Sequence, residues 1–93
     1  MPNFADQILG VDYQCSTDAI NPGSDKSIYI TTIANADPDT TTRTLTISSG
    51  DNIKVYRGQT ITYDPPLKLA KGATATPGDA DMLVAYFIAK ERN

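Results

Sequence analysis

Apolar and polar residues alternate along most of this chain, the period that a strand with one covered face produces. Leu9, Val11, Tyr13 and Cys15 share one side of the first run, and Gly10, Asp12 and Gln14 share the other. Ser16 to Asp25, with Asn21-Pro22-Gly23, is rich in turn formers and reads as a loop. In the next run, Lys26 to Asn35, Ile28 and Ile30 fall on one face and Ile33 on the opposite one, so the strand changes phase. A bulge, or a switch between two packed sheets, would produce that change. Thr42 to Ser49 alternates cleanly, with Leu45 and Ile47 on one side and Thr42, Thr44, Thr46 and Ser48 on the wet side. Threonine suits that position because its branched Cβ fits the pleat while its hydroxyl stays hydrated.

Gly50-Asp51-Asn52 and Arg57-Gly58 mark short hairpin connections into Ile53 to Tyr56 and Gln59 to Tyr63. Asp64-Pro65-Pro66 is expected to end that run, because proline cannot donate to a central ladder. Leu67 and Leu69 then suggest another short strand, and Lys71-Gly72 and Pro77-Gly78 mark loops. The last segment, Met82 to Ala89, is apolar throughout and shows neither period. A helix capped by Asp79, with Lys90 and Arg92 at its C-terminal end, is the alternative. A strand is favoured because the run is short and rich in β-branched and aromatic residues.

As a strand, this segment places Met82, Val84, Tyr86 and Ile88 on one face and Leu83, Ala85, Phe87 and Ala89 on the other. Both faces then need cover. The second cover is expected from an N-terminal arm, about residues 1–6, carrying Phe4, or from another chain, which makes Phe4, Leu83 and Phe87 the candidate protein-interface residues. About seven short strands separated by Gly, Pro and Asn turns predict an all-β fold, an antiparallel β-sandwich, as one domain over residues 1–93.

Ninety-three residues suit one compact domain of modest stability. The usual supports for so small a core are missing: there is one cysteine, so no internal disulfide, and no histidine for a zinc site. Oligomers or a larger assembly become the expected support. The single Cys15 is read as a small buried apolar side chain in a protein kept in a reducing compartment. A net charge of −3 with scattered cations, Lys26, Arg43, Lys54, Arg57, Lys68, Lys71, Lys90 and Arg92, argues against nucleic-acid binding. No segment has the length or apolarity of a membrane span, and MPNFADQ lacks the regions of a signal peptide.

Without histidine, neither a Ser-His-Asp nor a Cys-His arrangement can be assembled, and no catalytic residue or cofactor is expected. Two carboxylate pairs remain, Asp37 with Asp39 and Asp79 with Asp81; both lie beside Pro or Gly, where Asp commonly fixes a turn. The knot around Pro38 therefore reads as a corner between two strands. Asn35, Asp37 and Asp39 could gather around calcium, although neither the glycine nor the distal glutamate of an EF-hand stands at its offset. Five tyrosines, Tyr13, Tyr29, Tyr56, Tyr63 and Tyr86, could offer a modest stacking platform, but as readily form an amphipathic sheet rim.

Ile33-Ala34-Asn35 closing a strand, the Thr-rich run Thr42 to Ser49, the Pro66-Leu67-Lys68-Leu69 step and Gly78-Asp79 before the last strand follow one another in a familiar order. In this the stretch from Ser27 to Glu91 resembles small β-sandwich virion structural proteins of tailed bacteriophages, those that decorate capsids or complete the head and neck. The resemblance implies a non-enzymatic protein of the virion, made in the bacterial host cytoplasm. It also implies binding to the major capsid protein, to other virion proteins or to a neighbouring copy of itself, through an N-terminal arm and an exposed strand edge. The alternative is a small ligand-binding module for glycans, with or without calcium.

Overall fold

The computed structural model describes residues 8–35 and 42–91. They form seven strands, β1 (Ile8–Ser16), β2 (Ser27–Asn35), β3 (Thr42–Ile47), β4 (Asn52–Tyr56), β5 (Thr60–Leu69), β6 (Ala75–Pro77) and β7 (Met82–Glu91). A four-stranded sheet in the order β1-β7-β2-β5 packs on a three-stranded sheet in the order β4-β3-β6, and every pairing is antiparallel. The fold is the all-β, sandwich-like arrangement that the alternation predicts.

Its core is built from the inward series of each sheet. Ile28, Ile30, Ile33, Leu69, Met82, Val84 and Tyr86 of the larger sheet meet Leu45, Ile47, Val55 and Ala75 of the smaller. Segment 82–89, where strand and helix competed, is a strand between β1 and β2. Its central position explains much of the lost period of two: with a neighbour on each side, it is buried along its inward face and, at Phe87 and Ala89, on its outward face as well.

The phase change in β2 is a bulge. Against β7 the register shifts between Ile30 and Thr32, leaving Thr31 as the extra residue, and Ile28, Ile30 and Ile33 all enter the same core. The Thr31 hydroxyl donates to the Ala85 carbonyl at 3.0 Å, tying the bulge to β7.

Three expectations need correction. Asp64-Pro65-Pro66 does not end a strand: β5 continues through a cis Asp64-Pro65 bond to Leu69. Its pairing with β2 skips from Thr62 to Leu67 while β2 advances only from Thr32 back to Ile30. An edge position permits this, since the prolines lie in the unpaired part of the ladder. Arg57-Gly58 is not a hairpin turn, because β4 and β5 belong to different sheets. There the chain crosses the sandwich, and the crossing is fixed to β2 by Gly58 N–H donating to Asn35 O (3.0 Å) and Asn35 N–H donating to Gln59 O (3.2 Å). Finally, the short strand β6 lies in what reads as a loop. Its three residues are too few to establish a period.

Candidate functional site

The four-stranded sheet has a face turned away from the sandwich, and the outward series of β7 crosses it. Tyr29, Phe87 and Ala89 make a second, separate apolar cluster there, with exposures of 2, 5 and 1%. The rings of Tyr29 and Phe87 stack at 5.0 Å between centroids and 11° between planes. Leu83, at the other end of the same series, is 43% exposed. The outward side of β7 is therefore sheltered toward its C-terminal half and open toward its start.

Of the candidate interface residues, Leu83 is at the surface, Phe87 is buried, and Phe4 lies outside the described residues. The structure thus brings Leu83 and Phe87 to one face but leaves only Leu83 accessible.

Cys15 corrects the sequence reading. It is exposed, not buried. Alternation shows which residues share a side but not which side is covered. Register supplies that: Cys15 is paired with Ala85, in the outward series, while Gln14 is paired with Tyr86 in the inward one. The Tyr86 hydroxyl donates to Gln14 Oε1 at 2.9 Å, closing the inner face beside the edge strand. At Cys15 the side of β1 that looks apolar in sequence lies on the outer face and is exposed.

The pair Asp79 and Asp81 finds a partner that spacing along the chain does not reveal. Arg43 Nε lies 3.1 Å from Asp81 Oδ1, and Arg43 Nη2 lies 3.4 Å from Asp79 Oδ2. Arg43 stands two residues before Leu45 on the inward side of β3, and its side chain is only 17% exposed. The two carboxylates occupy the turn where the chain passes from β6 to β7, and Met82 N–H donates to Asp79 O at 3.1 Å. The group is an electrostatic clasp at one end of the sandwich. The one signal for it in sequence was Arg43 standing in phase with Leu45 and Ile47.

The remaining candidates are dispersed. Asn35 is 2% exposed, with Nδ2 donating to Val55 O at 3.4 Å, while Asp37, Pro38 and Asp39 lie outside the described residues. Among the described residues no three of His, Cys, Asp and Glu gather where they could hold a metal ion. Tyr29 and Tyr86 are buried, Tyr56 is 59% exposed, and burial raises the Tyr63 hydroxyl above the ordinary tyrosine pKa. These tyrosines do not share one surface. No helix among the described residues is long and apolar enough to cross a membrane. No known protein family matches the chain, and no curated protein or solved structure is significantly similar to it.

Proposed function

We propose that this chain is a non-enzymatic structural protein of a tailed-phage virion, a capsid decoration or head-neck component that binds the major capsid protein or other copies of itself. The observation that carries the reading is the second apolar face of the larger sheet. In so small a protein, a sandwich normally turns one face of each sheet to water. Here the outward face holds a buried aromatic cluster and continues into Leu83, Ala85 and Cys15, of which Leu83 and Cys15 are exposed. Such a surface suits contact with a protein, because an exposed apolar patch beside a buried aromatic cluster is the kind of surface that marks protein–protein contact.

Co-sedimentation tests it. The chain is mixed with capsids and with tails purified from the virus that encodes it, and the pelleted fraction is measured. Saturable binding to one of them, weakened by Leu83→Asp with the fold intact, is expected. A chain that stays in the supernatant with both would overturn the reading.

A further inference from the structure

We infer that β1 is a self-pairing edge: two copies join antiparallel through Gly10–Ser16 about a two-fold axis at Tyr13, fusing two four-stranded sheets into one of eight. This rests on the structural reading above and names the partner, a second copy.

The argument starts from the four strand edges. β1 and β5 bound the larger sheet, β4 and β6 the smaller. A free edge presents unpaired N–H and C=O groups, and soluble proteins blunt such edges with proline, lysine, bulges, short strands or a covering segment. β5 carries Pro65, Pro66 and Lys68 and a broken ladder. β4 has five residues, with Lys54 at its centre. β6 has three residues, ends in Pro77, and is covered at Ala75 by Ile20, whose N–H donates to Ala75 O at 2.8 Å while Ala75 N–H donates back at 3.0 Å. β1 is different. It has nine residues, contains neither lysine nor proline, and no described strand lies beyond it. Its one irregularity falls between Ile8 and Gly10, and from Gly10 to Ser16 it follows β7 without a shift.

The occupant follows from the same count. Extending the sheet requires another open strand, and among the described strands only β1 of a second copy offers one. A two-fold axis perpendicular to the sheet pairs antiparallel strands and keeps both outer faces on one side. Register then follows from charge and regularity. An axis at Asp12 sets two carboxylates directly opposite each other, which is unfavourable. An axis at Val11 draws Ile8 and the irregular start of the strand into the ladder. An axis at Tyr13 uses Gly10 to Ser16 alone, facing Asp12 with Gln14 and Val11 with Cys15.

Cross-linking reads that register. In Val11→Cys the new thiol faces Cys15 of the other copy at about 5 Å between Cα atoms, within reach of a disulfide. Positions 11 and 15 of one chain stand about 13 Å apart along the strand and cannot bond to each other. With oxidised glutathione as the oxidant, Val11→Cys should run mostly as a covalent dimer on a non-reducing gel. The native chain and the double variant Val11→Cys, Cys15→Ser should stay monomeric. Cross-linking of that double variant would place the axis at Val11 and overturn the register.

Two measurements on the native chain do not depend on a variant folding. With rising concentration, its light-scattering mass should climb from 10.0 kDa toward twice that value, and amide exchange should slow within 10–16. A constant monomer mass with no added protection would overturn self-pairing. Co-sedimentation with virion parts separates the two claims: a monomer that still pellets sinks only the self-pairing, and a dimer that never pellets sinks only the virion reading.

Discussion

At the residue scale the Arg43 clasp and Gly78 act on the same turn. A Cβ at Gly78 would sit 2.6 Å from the Thr44 carbonyl oxygen and 3.1 Å from its nitrogen, both backbone atoms of β3 that cannot swing aside. Gly78→Ala must push the β6–β7 turn off β3, and is expected to lower stability by about 1–3 kcal/mol, read as a shift of the urea midpoint. Arg43→Ala removes one cation from two carboxylates and loses the packing of its stem. The Asp79 side chain is 46% exposed and the Asp81 side chain 26%, so solvent screens the first contact more than the second. Asp81→Asn is therefore expected to destabilise more than Asp79→Asn, and Arg43→Ala more than either, by roughly 1–2 kcal/mol. Tyr63 bears on alkaline stability. Its hydroxyl has a raised pKa because burial penalises the phenolate, so above the ordinary value the unfolded chain sheds a proton that the folded chain keeps. Stability therefore falls as pH climbs past about 10. Tyr63→Phe should flatten that decline and leave neutral pH unchanged; a melting series from pH 8 to 11 reads it, with an identical slope in both proteins counting against the account.

At the element scale, β7 separates two outward positions that look equivalent in sequence. Phe87 is 5% exposed against Tyr29, whereas Leu83 is 43% exposed. Phe87→Asp places a carboxylate at a site only 5% exposed, against the Tyr29 ring, and is expected to unfold the domain or destabilise it by about 3 kcal/mol or more. Leu83→Asp should stay within about 1 kcal/mol of the parent. Thermal melts compare them directly, and equal losses would mean that the outer face is covered along its whole length. The same strand shows what patterning can and cannot carry. Period-two alternation found β3, the phase change in β2 left a bulge and a sheet switch as alternatives, of which the structure has the bulge, and the loss of period in 82–89 favoured a strand without giving its place in the sheet. Each of these is a local record of which neighbours are covered. In β1 the alternation showed which residues share a side, but the choice of which side faces the sandwich rests on its register with β7, a contact about seventy residues away. For the same reason Cys15 was misplaced, and the Arg43 clasp, which closes between positions 43 and 81, went unseen.

For the whole molecule, the formal charge of −3 sets how two copies meet. Both chains are negative at neutral pH, so a dimer joined through β1 forms against net repulsion, and the pairing holds through backbone hydrogen bonds and apolar contact rather than through opposite charges. Salt separates this from an ion-paired association. Raising ionic strength from 0.01 to 0.15 M shortens the screening length from roughly 30 to 8 Å, which removes most of the repulsion between exposed charges on separate copies. Hydrogen bonds between strands are much less affected. The dimer fraction at fixed protein concentration is therefore expected to rise with added sodium chloride at pH 7, by a few-fold in association constant, and sedimentation equilibrium can follow it. An interface built on cross-subunit salt bridges would respond in the opposite sense. Association that weakens with salt would mean that copies meet through oppositely charged patches elsewhere on the surface, and β1 would then be an open edge without this partner.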